Sequence, residues 1–474
     1  MTDLTDLTDS PDEASTTTVD PSFDAFQWDR VGVGPVEEGI LDVPLDYDDP
    51  DGDQISLYVV RRRAPAATRI GSLLVNPGGP GFGGSFLAEI AQNVYGEELL
   101  ASFDIIGWDP RGTEESEPFI DCVDAYDPYF GIETGPDDPE AEAQLQEAAR
   151  QFAAGCAERS GDALNHISTV DAARDMDAIR AALNEDEISY FGASYGTRLG
   201  ATWATLFPET VRAAVLDAAL DPTTGRVQGL IDQAAGFRRT LSLFLADCAA
   251  NPTCSFHNGG DPEGAFAALV ASLEQNPIPT AEGRPPLVDG VFEVGVAEAL
   301  YAESQWPQLA ESLAAAQRGD GTGLLALYDQ YYVRQPDGTY GNNLEAYFAI
   351  TCADDPAVGG VETAVAQRPQ FVAASTVGYT QAYELVVCAS LPGQPVEPFE
   401  ITGAGAGPIM VVGNTGDPAT PYEGSRLMAE TLEDGFFVSV EAATHGAYGL
   451  NDCIDSAIET YLVDLTIPEG ELTC

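Results

Sequence analysis

Short apolar runs rich in β-branched residues alternate with helical patterns along much of the chain. A short apolar run bounded by turn residues is typical of a buried strand, and apolar residues that recur every three or four positions are typical of a helix. The predicted strands are Ile55–Arg61, Ser72–Asn76, Phe103–Trp108, Ile188–Gly192, Ala213–Asp217, Ile409–Gly413 and Phe436–Val440. Helical patterns include Val170–Leu183 and Thr197–Phe207. The alternation predicts an α/β fold, a mostly parallel sheet with helices on both faces.

The alternation stops at about Gly225 and resumes at Pro408. The segment between them is mainly helical in pattern, with Pro/Gly breaks such as PIPTAEGRPP. We therefore predict a sheet domain in two parts, residues 22–224 and 400–474, with a large helical cap inserted at residues 225–399. Residues 1–21 form an acidic Asp/Thr/Ser tail that we expect to be disordered.

Charge excludes several classes of partner. The 474 residues include 77 acidic and 20 basic side chains, a net charge of −57, and every basic residue is arginine. A field of this sign repels phosphate groups, which argues against binding to nucleic acids or anionic membranes. No apolar stretch of about 18 residues predicts a membrane-spanning helix. We interpret the acidity as a solvated surface suited to a salty habitat, and attraction of cationic peptides is the alternative.

Eight cysteines form no C-x-x-C pair, so a zinc site is not expected. We predict disulfides rather than free thiols, because the number is even and partners fall within single predicted regions. The predicted pairs are Cys122–Cys156, Cys248–Cys254, Cys352–Cys388 and Cys453–Cys474. Disulfides indicate an oxidising compartment, extracellular or in the cell envelope. The N-terminus has neither the basic nor the apolar region of a signal peptide, so this localisation does not rest on a leader.

Ser194 is the candidate nucleophile. It lies in the sequence GASYG, after the predicted strand Ile188–Gly192 and before a predicted helix. A serine on a tight strand-to-helix turn projects its oxygen from the sheet edge, and glycines two positions away on each side leave room for that turn. An ordinary surface serine is the alternative reading of this short motif.

A Gly/Pro loop, NPGGPG at residues 76–81, directly follows the strand residues Ser72–Val75. Such a loop can direct backbone N–H groups at one point, as an oxyanion hole requires, although Gly/Pro loops without such a role are common. The second donor in this arrangement is the N–H of the residue after the nucleophile, here Tyr195.

The candidate base is His445, one of only three histidines. In this arrangement the chain order is nucleophile, acid, base. His166 precedes Ser194, and His257 follows it but does not follow a late strand, whereas His445 comes just after Phe436–Val440. Asp417 follows the preceding strand and is the candidate acid, which would orient the imidazole and stabilise its protonated form.

The motifs LLVNPGGPGFGG, FDIIGWDPRG, SYFGASYGTRLGATWATLFPE, VVGNTGDPATP and THG occur in this order. Together they resemble the α/β-hydrolase serine peptidases of the prolyl/tripeptidyl aminopeptidase group, in particular the secreted bacterial tripeptidyl aminopeptidase branch. The resemblance implies an α/β-hydrolase fold, with Ser194 as nucleophile, Asp417 as acid and His445 as base. It also implies oxyanion donors at Gly79 and Tyr195. The chain departs from the family at Glu114, where a glycine is usual.

The resemblance implies the function of a serine exopeptidase that acts near the free N-termini of peptides, with tripeptides as the expected released unit, and without a cofactor or metal ion. A carboxylester hydrolase with the same triad and an inactive binding protein of the same fold are the alternatives. An aminopeptidase must recognise the ammonium group of its substrate, which requires a partly desolvated carboxylate. The candidates for this amine anchor are the cap residues Asp354, Asp355 and Glu303.

Overall fold

A computed structural model of the protein describes residues 26–31, 34–136, 138–273, 275–355, 359–393 and 399–474. The predicted disordered tail, residues 1–21, lies outside these described residues. The strands within them are β1 (Asp29–Arg30), β2 (Val36–Pro44), β3 (Gln54–Arg62), β4 (Gly71–Asn76), β5 (Phe103–Trp108), β6 (Ile188–Ala193), β7 (Val211–Asp217), β8 (Ile409–Asn414), β9 (Gly435–Val440) and β10 (Leu472–Thr473).

Helices connect and cover these strands. Those that precede β7 are α1 (Ser85–Glu89), α2 (Ala91–Val94), α3 (Glu97–Ser102), α4 (Asp127–Phe130), α5 (Pro139–Ser160), α6 (Thr169–Ala182) and α7 (Tyr195–Leu206). Those between β7 and β8 are α8 (Arg226–Ala250), α9 (Pro262–Leu273), α10 (Asp289–Leu300), α11 (Trp306–Ala316), α12 (Thr322–Tyr331), α13 (Asn343–Asp354), α14 (Val361–Ala374) and α15 (Tyr379–Cys388). The last are α16 (Tyr422–Thr431) and α17 (Asp452–Asp464). Short 3-10 helices occur at Gly161–Asn165, Pro208–Thr210, Asn258–Gly260 and Glu303–Gln305.

The strands of the described residues form one mixed sheet in the order β1-β2-β3-β5-β4-β6-β7-β8-β9-β10. Strands β1, β2, β3 and β5 pair in antiparallel fashion, and every pair from β5 to β10 is parallel. Strand β4 lies between β5 and β6, so the order of the sheet reverses there. Ligands of open α/β sheets bind beyond the carboxyl ends of the strands at such a reversal. The loops after β4 and β6 meet at this place.

Both faces of the central strands are buried. All six residues of β4 and of β5 are buried, which explains why their sequences, GSLLVN and FDIIGW, are mostly apolar rather than alternating. Alternate residues of each strand enter two separate cores, since successive side chains point to opposite faces. Leu74 packs in the larger core, whereas Leu73 and Val75 pack in the smaller one.

The seven predicted strands are all present, each within two residues of its predicted ends. The two predicted helices correspond to α6 and α7 with the same accuracy. The α/β class is therefore confirmed. Strands β1, β2 and β10 were not predicted, and β2 is a long one that pairs with β3 over its whole length.

The described residues between β7 and β8 form helices α8–α15 and no strand of the sheet. We refer to α8–α15 as the cap helices. They contact the sheet domain beside the loop after β4: a side chain at Gly81 would lie 2.2 Å from the backbone oxygen of Asn343 in α13. The division of the chain at residues 224/225 and 399/400 stays a prediction.

The four predicted disulfides are present, and the structure shows no free cysteine. Cys352–Cys388 joins α13 to α15 among the cap helices. Cys453–Cys474 joins the first turn of α17 to the residue after β10. None of the described helices combines the length and the apolar character needed to cross a membrane.

A buried ion pair holds the turn after β5. Arg111 is 2% exposed, and its guanidinium donates to both carboxylate oxygens of Asp175 in α6, at 2.7 and 2.8 Å. It also donates to the carbonyl oxygens of Pro44, Leu45 and His166. These bonds connect β2, the turn and α6, and they satisfy a charge that would be costly if left unpaired.

Candidate active site

Ser194 lies on a sharp turn between β6 and α7. Its φ of 55° and ψ of −125° are unusual for a residue with a side chain, and its N–H donates to the carbonyl of Asp217 at 2.9 Å. The flanking glycines are required by close contacts. A Cβ on Gly192 would lie 2.4 Å from the carbonyl oxygen of Gly196, and one on Gly196 would lie 2.9 Å from Asn76 Oδ1. This geometry is that of a nucleophile elbow.

The loop after β4 packs directly against this turn. A Cβ on Gly78 would lie 2.4 Å from the carbonyl oxygen of Ala193 and 3.0 Å from the nitrogen of Tyr195, so only glycine fits there. Asn76 Oδ1 accepts the N–H of Gly78 at 2.9 Å and holds the loop in place. Tyr195 is the first residue of α7, and the N–H groups of a first helical turn have no partner within the helix. The N–H of Tyr195 therefore suits an oxyanion hole beside Gly79.

His445 and Asp417 are in direct contact. Nδ1 of the imidazole lies 2.9 Å from Oδ1 and 3.0 Å from Oδ2 of the carboxylate. Because a carboxylate only accepts hydrogen bonds, Nδ1 carries the proton and Nε2 is left as a base. Asp417 is buried, and its Oδ1 also accepts the N–H groups of Ala419 and Thr420 at 2.9 Å. The structure thus brings together two residues that the sequence analysis selected from separate loops, and their catalytic roles stay a prediction.

The position of His445 is fixed from two further sides. Its backbone N–H donates to the carbonyl of Tyr301 at 2.8 Å, and the Tyr301 ring packs edge-on against the imidazole. Burial disfavours the protonated imidazole, but the charge of Asp417, its hydrogen bond and the charge of Asp217 outweigh this, so the pKa of His445 is raised above its ordinary value. Among the described residues, Ser194 Oγ forms no hydrogen bond; catalytic hydrogen bonds often form only with substrate bound.

Two cavities adjoin this centre. The first, of about 360 Å³, lies among the cap helices, and we call it the cap cavity. Its walls are largely aromatic and include Phe237, Tyr301 and Tyr331. The second, of about 440 Å³, contains Ser194 and Tyr195, and we call it the serine cavity. Both cavities are lined by Gly79, Pro80, Gln233 and Tyr347, which form their common wall.

Three carboxyl groups line the cap cavity, and none was singled out from the sequence. Glu293 accepts from the N–H and the hydroxyl of Thr380 at 2.8 Å, and burial raises its pKa to about 8. Glu298 accepts from Gln330 Nε2 at 2.6 Å, and burial raises its pKa as well. Glu384, whose pKa is also raised by burial, accepts from the Tyr347 hydroxyl at 2.6 Å and from Arg226.

The acids predicted as amine anchors lie elsewhere. Asp354 and Asp355 line the serine cavity, but their oxygens already accept hydrogen bonds: Asp354 from the N–H and hydroxyl of Thr169, and Asp355 from the N–H of Arg226. Burial raises the pKa of Asp354. Glu303 lines neither cavity and accepts the N–H of Ala443 at 3.3 Å, two residues before the histidine. Amine binding by these three acids stays a prediction.

Glu114, the position that departs from the family pattern, has a φ of 46°. This left-handed conformation is one that glycine adopts freely, which explains the usual glycine. Here the glutamate binds the cap: its N–H donates to Asn342 Oδ1 at 3.0 Å, and its carboxylate accepts from Asn343 at 2.5 Å. No group of three or more His, Cys, Asp or Glu side chains among the described residues is arranged to hold a metal ion.

The chain belongs to the α/β-hydrolase family. Residues 71–258 match the family described as alpha/beta hydrolase fold, and residues 374–474 match the family described as TAP-like protein. The chain is 36% identical over 454 residues to serine protease Hip1 of Mycobacterium tuberculosis H37Rv, which covers 92% of this chain and 86% of that protein. The predicted family and fold are confirmed.

Two further relatives have different names. Carboxylesterase B of M. tuberculosis H37Rv is 37% identical over 448 residues, covering 92% of this chain and 85% of that protein. Tripeptidyl aminopeptidase of Streptomyces lividans is 31% identical over 459 residues, covering 93% of this chain and 84% of that protein. These relatives extend the similarity across nearly the whole chain, cap helices included.

Proposed function

We propose that the protein is a serine exopeptidase that cleaves short segments from the free N-termini of peptides. Ser194 attacks the scissile carbonyl, His445 Nε2 takes the serine proton and then donates it to the leaving amine, and Asp417 stabilises the imidazolium. The N–H groups of Gly79 and Tyr195 stabilise the oxyanion of the tetrahedral intermediate. Water then hydrolyses the acyl-enzyme by the same route. Relatives named serine protease and tripeptidyl aminopeptidase support this assignment.

The observation that carries the exopeptidase assignment is the cap cavity. It adjoins the oxyanion loop at Gly79 and Pro80, it is enclosed by aromatic side chains, and it holds three carboxyl groups. Carboxyl groups are costly in such an apolar place unless a cation neutralises them, and their raised pKa values express this cost. The ammonium group of a peptide N-terminus would supply the missing cation.

Glu298 is the preferred amine anchor. Glu293, with a pKa of about 8, is largely neutral at pH 7, and Glu384 already faces Arg226 at 3.1 Å. Glu298 lines the cavity and is contacted by the amides of Gln305 and Gln330 but, among the described residues, by no cationic group. Glu298 is therefore the carboxylate that a substrate ammonium would stabilise most. Glu384 would be the second contact of the ammonium.

Paired substrates test the exopeptidase assignment. The enzyme should cleave a peptidyl p-nitroanilide with a free N-terminus at least about tenfold better, in kcat/KM, than its N-acetylated form, since an unpaired buried charge costs several kcal/mol. Glu298→Gln should remove most of this preference, whereas Glu311→Gln, an exposed change on a cap helix, should not. Equal cleavage of both forms by the parent enzyme would exclude the exopeptidase assignment.

Ester hydrolysis is the second candidate, because a relative at 37% identity is named carboxylesterase B. The same triad and oxyanion hole act on esters, and the fold does not distinguish the reactions. A neutral ester, however, makes no use of three buried carboxyl groups. Peptide amide and ester substrates with the same acyl part separate the two functions: an esterase would hydrolyse the ester but not the amide and show no dependence on a free amine.

A further inference from the structure

Two guanidinium groups line the serine cavity without donating a hydrogen bond to any described residue. Arg198 faces Asp354 Oδ2 at 3.8 Å, and Arg239 faces Glu423 Oε2 at the same distance. The third arginine of this cavity, Arg226, differs because it donates to Glu384 at 3.1 Å. The serine cavity therefore presents hydrogen-bond donors that the protein itself leaves unused.

Arg198 lies next to the reaction centre. It lies near the start of α7, four positions after Ser194, and its side chain lines the same cavity as Ser194 and Tyr195. The Arg198 side chain is only 37% exposed, whereas that of Arg239, on α8, is 49% exposed. Arg198 is thus the inner and Arg239 the outer donor of one cavity.

The carboxylates of the serine cavity do not accept hydrogen bonds from Arg198 or Arg239. Asp221 accepts from the N–H of Thr223, Asp232 from Gln228, and Asp355 from the N–H of Arg226. Asp354 is bound by Thr169 and lies 3.8 Å from Arg198 Nε, and Glu423 lies 3.8 Å from Arg239. The oxygens of the first four are directed at other donors. Nε of Arg198 faces Asp354, and its two terminal nitrogens, which donate to no described residue, remain available to a planar, two-oxygen anion.

The direction of the substrate assigns this cavity to the leaving group. In the proposed function the N-terminal part of the peptide occupies the cap cavity. Its scissile carbonyl lies at Ser194, beyond the common wall formed by Gly79, Pro80, Gln233 and Tyr347. The part of the peptide that follows the scissile bond must then extend through the serine cavity, past Arg198.

We propose that Arg198 binds a carboxylate of the departing part of the peptide, with Arg239 as a weaker second contact. The carboxylate is either the C-terminal one of a short peptide or the side chain of Asp or Glu after the cleaved bond. This inference rests on the proposed exopeptidase function and assigns a recognition site to the other side of the scissile bond. No covalent step is added to the reaction.

Four peptides that share one N-terminal segment distinguish the sources of the carboxylate. Two end, after the cleaved bond, in Ala-Ala with either a free C-terminus or a C-terminal amide. The other two end in Ala-Glu-amide or Ala-Gln-amide. We expect about tenfold higher kcat/KM, mainly through a lower KM, for whichever member carries the recognised carboxylate. Equal values for all four peptides would overturn the proposal.

Variants of Arg198 test whether this residue causes the preference for carboxylate peptides. Arg198→Gln should bring the carboxylate and amide peptides within about twofold of each other while leaving the amide peptides unchanged, and Arg198→Lys should retain part of the preference. Arg238→Gln is the matched control, an exposed arginine on α8 outside both cavities. If Arg198→Gln keeps the preference, the proposal is wrong. If Arg198→Gln does not fold, the ratio of kcat/KM between carboxylate and amide peptides for the parent enzyme still tests the proposal.

A peptidyl p-nitroanilide with a free N-terminus separates this test from the proposed function. Its leaving group has no carboxylate, so its hydrolysis depends on the triad and the amine anchor but not on Arg198. Hydrolysis of the anilide together with equal rates on the four peptides would reject only the Arg198 site. Failure to hydrolyse any substrate with a free amine would reject the exopeptidase function itself.

Discussion

Asp217 binds the backbone of Ala447, two residues beyond His445, the proposed base. Its Oδ1 and Oδ2 lie 3.0 and 2.9 Å from the Ala447 nitrogen, and Oδ2 also accepts the N–H of Tyr448 at 3.0 Å. Asp217 ends β7, and its carbonyl accepts the N–H of Ser194. One buried residue thus holds the nucleophile turn through its backbone and the histidine loop through its side chain.

Asp217→Asn should lower kcat by about 10- to 100-fold with little change in KM, because a hydrogen bond to a charged acceptor contributes about 1.5 to 3 kcal/mol. The side-chain amide of the asparagine has one acceptor oxygen for the N–H groups of Ala447 and Tyr448. Its NH₂ group, a donor, would face them in place of the second carboxylate oxygen. The charge of Asp217 also raises the pKa of His445, so the acid limb of activity should move to lower pH. Steady-state kinetics from pH 4 to 9 measure both changes.

The control for this variant is Asp186→Asn, the same substitution at an exposed position before β6. It should leave kcat and the pH profile unchanged. A loss of activity in Asp217→Asn without any shift of the acid limb would indicate that Asp217 acts through folding alone.

The pH dependence of the parent enzyme follows from the raised pKa of His445. The base must be neutral to accept the serine proton, so kcat/KM should fall as pH decreases through that pKa, with a midpoint above the 6.5 of an ordinary histidine. With peptides, activity should fall again as the substrate amine loses its proton near pH 8. A small uncharged ester should show only the acid limb. A midpoint below 6.5 would contradict the prediction.

Ser194→Ala should lower kcat by about 10⁶, the usual consequence of removing a triad nucleophile. A fluorophosphonate should label the parent enzyme at Ser194 and nowhere else, which peptide mapping by mass spectrometry measures. Activity that survives in the alanine variant, or an adduct on another residue, would exclude Ser194 as the nucleophile.

Asp175→Asn should destabilise the protein by about 3 to 5 kcal/mol, because it leaves the buried guanidinium of Arg111 without its counter-ion. Urea unfolding followed by circular dichroism measures this free energy. Glu147→Gln breaks the exposed ion pair with Arg150 and should leave the unfolding midpoint nearly unchanged. Similar midpoints for the two variants would show that the buried pair is not needed for stability.

Removal of the Cys453–Cys474 disulfide by paired Cys→Ser substitutions should cost about 3 kcal/mol, and removal of Cys248–Cys254 only about 2 kcal/mol. The reason is chain entropy: the first bond closes a loop with a sequence separation of 21 and the second one of 6. Unfolding in urea without reductant measures both. A larger loss from the shorter loop would contradict an origin in the unfolded state.

The elements that hold the proposed triad were predictable from the sequence because each is a mostly apolar strand, and the assigned residue follows its carboxyl end. Strands β6, β8 and β9 are mostly apolar rather than alternating, as is typical of parallel strands with covered faces. Ser194, Asp417 and His445 follow these strands in an order that the fold restricts. Pattern and order together therefore identified the two loops that bring His445 and Asp417 into contact.

Strand β2 and the cap cavity escaped prediction for physical reasons. The sequence VEEGILDVP of β2 places charged residues and a proline in a strand, which is possible because β2 lies near the edge of the sheet and exposes alternate residues. In a chain with 77 acids, a single glutamate carries no signal of burial. Glu298 and Glu384 lie on different helices, and only tertiary packing brings them into one cavity.

The common wall between the two cavities has a consequence for the products. In the proposed function the amine is bound on the cap side and the nucleophile lies on the other, so the distance between anchor and Ser194 would determine how many residues leave in each turnover. The peptide that remains has a new free amine and is again a substrate. The enzyme would therefore shorten a chain in equal steps, and digestion would produce a ladder of peptides with one constant spacing, ending when the remainder no longer reaches from the anchor past the serine.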